Sequence, residues 1–245
     1  MRNIRLLIEY DGTKYNGWQR LGNTENTIQH KLENVLSLMS EEKIEIIGSG
    51  RTDAGVHALG QVANFHTRSA LNTREILDYC NQYLPQDIVV KRVQEAEERF
   101  HARYNATSKK YMYRIWNSNI PTAFYRKYSY HVPGPLSIEK MRKASSYFIG
   151  NHDFQAFSSM KSKKKSTERE IYAIEIIKER ERIDIFFHGN GFLHNMVRII
   201  TGTLIEIGQG KRKAEEIPII LEGRIREKAG VTAPAQGLFL YEVYY

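Results

Sequence analysis

The spacing of apolar residues changes along the chain in an order that restricts the possible folds. Apolar residues alternate in some stretches, as in strands, and recur every three to four residues in others, as in helices. In the first half, the predicted elements are a strand at 3–10, a helix at 27–39, a strand starting at Ile44, a strand at 60–66, a helix at 73–84 and a strand at 88–93. This β-α-β-β-α-β order is typical of a ferredoxin-like unit.

The second half of the chain predicts the same order without detectable sequence repetition. Its predicted elements are a strand at 109–116, a helix capped by Ser137 and stopped by Gly150, strands at 170–178 and 182–188, a helix at 193–208, a short helix at 213–222 and a strand at 237–245. We therefore predict an α+β fold of two tandem ferredoxin-like units, at 1–100 and 101–245. Their antiparallel sheets are expected to join into one extended sheet, with helices on one side and a cleft between the units.

The charge of the chain favours a polyanionic partner. The 36 Lys and Arg residues exceed the 28 Asp and Glu residues, which gives a formal net charge of +8. Basic residues also lie among aromatic ones, as in 109–114 and 125–128, a mixture that suits RNA through phosphate neutralisation and base stacking. On composition alone, these stretches are equally consistent with basic strands carrying ordinary cross-strand aromatic pairs.

Several classes of protein are disfavoured by the sequence. No apolar run approaches the roughly 20 residues that cross a bilayer, and the first residues lead directly into a predicted strand. Cys80 is the only cysteine, and the histidines are scattered. We expect a cytoplasmic protein that binds no membrane, no metal and no cofactor.

The loop from Gly48 to Ala58 is the strongest candidate site by residue type. It contains three glycines, which allow tight turns, and places Asp53 between Arg51 and His57. The Asp and Ser residues are equally explained by local turn hydrogen bonds. A phosphate-binding loop is a weaker alternative, because the Gly-Lys-Ser/Thr ending is missing. A second loop, Lys161–Lys165, is either a solvated charge run or a phosphate-binding segment.

Six segments in order resemble the TruA family of tRNA pseudouridine synthases. The segments are Tyr10-Asp11-Gly12-Thr13-x-Tyr15-x-Gly17-Trp18-Gln19, Gly50–Ala58, Phe100–Arg103 with Lys110-Tyr111-x-Tyr113-Arg114, Asn151–Phe154 with Phe157, Gly191–Arg198 and Thr232-Ala233-Pro234-Ala235-x-Gly237-Leu238. They are spread across nearly the whole chain. The resemblance is specific because the segments keep the family's order.

The resemblance implies a function and a set of site residues. Asp53 is expected to be the catalytic carboxylate, acting as nucleophile, with Arg198 paired to it. Tyr111 is expected to contact the target base, and Arg51 to help hold the target nucleotide out of the stack. The family isomerises uridines at positions 38, 39 and 40 of the tRNA anticodon stem-loop, as a homodimer and without cofactor. The predicted cleft is then an RNA-binding cleft.

Other interpretations remain open at this point. The chain could be a non-catalytic protein that binds or remodels RNA, or a TruA paralogue with narrowed site choice. A metal-dependent phosphoryl enzyme is disfavoured because no carboxylate cluster surrounds Asp53 in the sequence. We expect His57 to form hydrogen bonds within its loop and Trp18 to be a packing residue rather than a platform for RNA.

Overall fold

The computed structural model describes residues 1–159 and 166–245, which form two compact units. The first unit comprises Met1–Thr107 together with Phe239–Tyr245, and the second comprises Ser108–Leu238. These units differ from the predicted division at residue 100, because the C-terminal strand pairs within the first unit. The α+β class predicted from the sequence is confirmed.

The first unit is a sheet with helices that follow the predicted order. Its elements are β1 (Arg2–Tyr10), α1 (Ile28–Ser40), β2 (Ile47–Gly48), β3 (His57–Thr67), α2 (Thr73–Tyr83), β4 (Ile88–Ala96) and the C-terminal β10 (Leu238–Tyr244). The strand order is β4-β1-β3-β10, and β2 also pairs with β3. β10 runs parallel to β3, with Phe239 opposite His57.

Local sequence explains the regular elements of this unit. The alternating apolar residues of β1 are buried, and one face of α1 is buried from Ile28 to Met39. The Thr27 side chain caps α1 by accepting a hydrogen bond from the His30 amide. Asn72 and Glu75 form a reciprocal capping box at the start of α2.

β2 is much shorter than the apolar pattern predicts. Ile44 and Ile46 are buried, but the strand contains only Ile47 and Gly48. The amide of Ile46 donates to the buried Glu33 carboxylate over 3.1 Å instead of pairing with a strand. A side chain of α1 therefore takes the backbone donor that an extended strand would use.

The second unit contains more elements than predicted. They are β5 (Ser108–Trp116), β6 (Tyr130–His131), α3 (Ile138–Ser146), β7 (Gly150–Asp153), β8 (Glu168–Glu179), β9 (Arg182–Gly189), α4 (Met196–Gly208) and α5 (Glu216–Gly223). Its sheet has the order β5-β9-β8-β7, antiparallel throughout, and β6 adds to β5 in parallel. α4 packs on β5 and on α3.

Two details of this unit correct the sequence analysis. The short strands β6 and β7 were not predicted. α3 ends at Ser146, earlier than Gly150, and Gly150 begins β7 with a positive φ of 100°. Phe148 remains buried beyond the helix end, so the apolar pattern extends past the helix. The predicted basic loop Lys161–Lys165 lies outside the described residues.

Within residues 1–159 and 166–245, the helices lack the length and apolar character needed to span a membrane.

Candidate active site

The loop that carries Asp53 lies between β2 and β3 of the first unit. Asp53 is half-buried, Arg51 two residues earlier is exposed, and Thr52 between them is buried. A tight turn follows, in which the Val56 amide donates to the Asp53 carbonyl over 3.1 Å. Gly55 lies inside this turn with a φ of 76°, a conformation that favours glycine.

Thr52, which directly precedes Asp53, is held by hydrogen bonds of both its side chain and its backbone. The Thr52 hydroxyl lies 2.7 Å from the Tyr10 hydroxyl in a buried hydrogen bond. The Thr52 carbonyl accepts from the Trp18 amide over 3.0 Å. Trp18 is 2% exposed, which agrees with the packing role expected for it. The Tyr10–Gln19 segment therefore supports the Asp53 loop.

The start of the loop is held from β3. The buried Ser49 hydroxyl donates to the Gln61 side-chain carbonyl over 2.7 Å, and the Gln61 amide group donates to the Gly50 carbonyl over 3.0 Å. Both the N-terminal part of the loop and Thr52 are thus attached to strands. The carboxylate of Asp53 is carried on an anchored backbone, which is the arrangement that a catalytic group requires.

Glycines allow the Tyr10–Gln19 segment and the Asp53 loop to approach each other closely. A Cβ on Gly12 would lie 2.0 Å from the Val56 carbonyl oxygen, and one on Gly17 would lie 2.6 Å from the Thr52 carbonyl oxygen. Neither gap accommodates a side chain. The glycines of the first segment are therefore required by the position of the Asp53 loop.

His57 joins the same two segments. Its Nδ1 lies 3.1 Å from both the Gly12 amide and an oxygen of the Asp11 carboxylate. The same ring nitrogen cannot accept from the amide and donate to the carboxylate at once, so the tautomer of the ring decides which of the two hydrogen bonds forms. The ring is 1% exposed and stacks on Phe239 at 4.8 Å. Hydrogen bonding was expected for His57 within its own loop, but these two partners belong to the Tyr10–Gln19 segment, which folding brings against the loop.

Tyr111 lies on β5 of the second unit. It is 9% exposed and contacts the Phe192 ring edge-to-face, with ring centroids 5.2 Å apart. Phe192 follows β9 in the loop that precedes α4. This contact orients the tyrosine ring on the strand.

Arg198 lies in the first turn of α4 and is half-buried. Its Nε donates to the Ala233 carbonyl over 2.7 Å, and its Nη1 donates to the Asn195 side-chain carbonyl over 2.9 Å. Asn195 itself has a left-handed backbone with a φ of 61° and donates to the Ser159 hydroxyl over 3.1 Å. The Ala233 carbonyl and the Asn195 side chain thus orient the guanidinium, and Ser159 in turn holds Asn195.

The closing segment of the chain completes this arrangement. The Ala233 amide donates back to the Arg198 carbonyl over 3.1 Å, and the Tyr113 hydroxyl donates to the Pro234 carbonyl over 2.8 Å. Burial raises the pKa of the Tyr113 hydroxyl, and the positive charge of Arg198 opposes that shift. Tyr113 therefore stays protonated and serves as a donor beside Arg198.

Phe192, Asn195 and Ala233 had no role predicted from the sequence, although all three belong to the segments that carry the family resemblance. The presence of these residues inside the segments was the available signal. In the described part of the chain, no group of three or more His, Cys, Asp or Glu residues is arranged to hold a metal ion. The structure thus describes Arg51 and Asp53 in one unit, and Tyr111 and Arg198 in the other.

Comparison with known proteins identifies the family. The family model described as tRNA pseudouridine synthase matches residues 6–105 and 144–245. A curated relative named tRNA pseudouridine synthase A, from Bacillus sp. (strain KSM-64), is 54% identical over 240 residues, 98% of each chain. One named tRNA pseudouridine synthase A 2, from Bacillus cereus (strain ZK / E33L), is 51% identical over 245 residues, 100% of each chain.

A third relative gives the same result. A relative named tRNA pseudouridine synthase A, from Acetivibrio thermocellus, is 50% identical over 245 residues, 100% of each chain. Among solved structures, that of a Cbf5-Nop10-Gar1 complex aligns with 82% of this chain and 45% of that chain, at 12% identity and a TM-score of 0.37. This structural likeness is too low to add to the identification. On the full-length matches, the chain belongs to the TruA family of tRNA pseudouridine synthases, which are isomerases.

Proposed function

We propose that the protein isomerises uridine to pseudouridine at positions 38, 39 and 40 of the tRNA anticodon stem-loop, with Asp53 as the nucleophile. The observation that carries the proposal is the half-buried Asp53 on a loop anchored from β1 and β3, in a chain that matches this family over its length. Pure RNA binding would not require a carboxylate on such a support, because a negative charge repels phosphate.

The reaction rearranges one nucleotide without adding or removing atoms. The N1–C1′ bond breaks, the uracil turns, a C5–C1′ bond forms, and the proton on C5 is exchanged for one on N1. Asp53 attacks C1′ in the covalent pathway, or takes a sugar proton in the pathway through a glycal. Both pathways use an ionised carboxylate, and neither uses a cofactor.

The other site residues have complementary roles in this proposal. Tyr111 stacks on the extruded uracil, a contact worth about 1–3 kcal/mol, against an extrusion cost of a few kcal/mol. Arg198 pairs with the Asp53 carboxylate and orients it. Arg51, which is exposed beside the carboxylate, holds the target nucleotide out of the stem.

The finer architecture predicted from the sequence belongs to the same proposal. It consists of two tandem ferredoxin-like units whose sheets join and whose facing surfaces form an RNA-binding cleft. A net charge of +8 supports a polyanionic substrate for such a cleft. We also propose a cytoplasmic homodimer, as the family resemblance implies.

An isosteric substitution at the carboxylate tests the function. Asp53→Asn removes the charge and keeps the shape, and Asp78→Asn makes the same change at an exposed side chain on α2. We expect Asp53→Asn to form no pseudouridine in purified tRNA, by chemical labelling and mapping, while it binds tRNA within about threefold of wild type. Asp78→Asn is expected to behave as wild type.

The same assay separates the alternatives. If wild-type protein binds tRNA but never forms pseudouridine, the chain is a binding or remodelling protein. If Asp53→Asn turns over normally, Asp53 is not the nucleophile. A product confined to one of the three positions would identify a site-restricted paralogue. Relatives named tRNA pseudouridine synthase A and A 2 match at 54% and 51% identity, so their names do not decide this.

A further inference from the structure

Arg169 on β8 is a half-buried cation with an unusual set of partners. Its Nη1 donates to the carbonyls of Ser166 and Glu168, over 3.2 and 2.5 Å. Its Nε lies 3.6 Å from the position of a Cβ on Gly191. One edge of the guanidinium is thus fixed by backbone, and the side chain lies beside a residue that has no side chain.

No carboxylate compensates this charge within residues 1–159 and 166–245. The ion pairs of that part of the chain do not include Arg169, and burial alone lowers the pKa of its guanidinium. The guanidinium nevertheless remains charged, because arginine is not deprotonated in proteins. Glu168 and Glu170 are exposed neighbours in the strand, but successive strand residues point to opposite faces. A partly desolvated cation without a counter-ion favours an anionic ligand.

The strand register places Arg169 on the same face of its sheet as Tyr111. Tyr111 is opposite Phe187, and Gly189, two residues further along β9, is opposite Ile171. Residues directly opposite each other share a face, as do residues two apart in a strand. Arg169 is two residues from Ile171, and the Gly191 position beside it precedes Phe192, the ring that contacts Tyr111.

Gly191 leaves room for a ligand at this position. In the described part of the chain, a Cβ at Gly191 would meet only two atoms within 4 Å, the Nε and Cδ of Arg169, at 3.6 and 3.8 Å. By contrast, a Cβ on Gly189 would lie 2.6 Å from a backbone oxygen. The backbone at Gly191 is therefore open beside the cation, which allows a phosphate to approach without a side chain in between.

We propose that Arg169 binds a backbone phosphate of the tRNA substrate next to the target uridine, and so positions the nucleotide whose base Tyr111 contacts. This inference rests on the proposed function. The guanidinium fork matches the geometry of a phosphate, and its fixed edge reduces the entropy lost on binding. Arg169 acts on the RNA backbone rather than on the reacting atoms, so it is a positioning residue.

The salt dependence of tRNA binding tests this role. Arg169→Gln removes the charge, Arg169→Lys keeps it without the fork, and Arg180→Gln removes an exposed charge just beyond the other end of β8. For Arg169→Gln we expect about tenfold weaker binding and a log Kd versus log salt slope reduced by about one. Arg169→Lys should keep the slope, and Arg180→Gln should keep both quantities.

A substrate-side probe locates the contact. The probe is a series of anticodon stem-loop RNAs. Each RNA carries a single neutral methylphosphonate, at a different backbone linkage around the target uridine. At one linkage, the methylphosphonate should weaken tRNA binding by wild-type protein about tenfold and should not weaken binding by Arg169→Gln any further. If Arg169→Gln does not fold, the Arg169→Lys protein replaces it in the scan, and the same linkage should then have a smaller effect than in wild type.

Three results separate the explanations. The phosphate contact would be overturned if Arg169→Gln kept the wild-type slope of log Kd against log salt and if each methylphosphonate weakened its binding as much as it weakens that of wild type. A lower Tm with unchanged slope would assign Arg169 to structure alone. Wild-type protein that binds tRNA without forming pseudouridine would contradict the proposed function, and the methylphosphonate scan would still report on Arg169.

Discussion

The Tyr10 hydroxyl and the Thr52 hydroxyl lie 2.7 Å apart in a buried hydrogen bond, although 42 positions separate them in sequence. Tyr10 is the last residue of β1, and Thr52 directly precedes Asp53. The hydrogen bond therefore connects the end of an inner strand of the first sheet to the backbone that carries the candidate nucleophile. The position of the Asp53 carboxylate depends on a hydroxyl that makes no contact with substrate in our proposal.

Tyr10→Phe tests this connection. The variant leaves the buried Thr52 hydroxyl without its tyrosine partner, so we expect the free energy of unfolding to fall by about 1–3 kcal/mol. We also expect kcat to fall more than tRNA affinity, because the Asp53 loop gains freedom. Urea unfolding and single-turnover pseudouridine formation measure the two effects. Tyr83→Phe, at a side chain 56% exposed on α2, is the control and should change neither quantity. Wild-type kcat in Tyr10→Phe would contradict the connection.

Gly12→Ala tests the close approach of the two segments. The added methyl group would lie 2.0 Å from the Val56 carbonyl oxygen, so the backbone must move. We expect a loss of about 2–3 kcal/mol of stability and a strong loss of turnover. Gly22→Ala is the matched control, because a Cβ there meets nothing within 4 Å, and we expect it to change stability by less than about 0.5 kcal/mol. Equal stability of the two variants would show that the packing is not rigid.

Arg198→Lys tests whether the guanidinium geometry matters beyond its charge. A lysine ammonium cannot reproduce the planar pair of bonds to the Ala233 carbonyl and the Asn195 side chain. We expect kcat to fall by at least tenfold with a small change in tRNA affinity. The same substitution at Arg74, exposed on α2, provides the comparison and should have no effect. Full activity of Arg198→Lys would reduce its role to charge alone.

Cys80 provides a pH-dependent probe of the first unit. Burial raises the pKa of the Cys80 thiol to about 12, so the folded protein keeps it neutral at pH 8. We expect no reaction with a thiol reagent at pH 8, and one equivalent per chain in urea.

The raised pKa also affects stability at alkaline pH. In the unfolded chain the thiol loses its proton near pH 9, whereas in the folded protein it does so near pH 12. Unfolding therefore releases a proton in this range, and stability falls as the pH rises from about 9 to 12. The urea midpoint of Cys80→Ala should be lower overall and fall less steeply with pH than that of wild type. Parallel slopes would show that Cys80 does not contribute.

Local sequence determined most of the regular elements and the identity of the candidate site residues. The alternation in β1, the apolar face of α1 and the capping residue Ser137 each act within a few positions, so their effect is readable from the chain. The segment around Asp53 was recognisable for the same reason, since its residues are contiguous. The roles of Asp53, Arg51, Tyr111 and Arg198 stay predictions that the experiments above address.

Only the tertiary structure decided where contacts between residues distant in sequence override the local preference for a helix or a strand. β2 is short because a carboxylate of α1 takes the Ile46 amide, and β10 belongs to the first unit because it pairs with β3. The hydrogen bonds of Thr52 to Tyr10 and of Arg198 to Ala233 likewise join residues far apart in sequence. Such contacts depend on which groups folding brings within about 3 Å of each other. That proximity is a property of the packed chain, and periodicity and local residue preferences do not encode it.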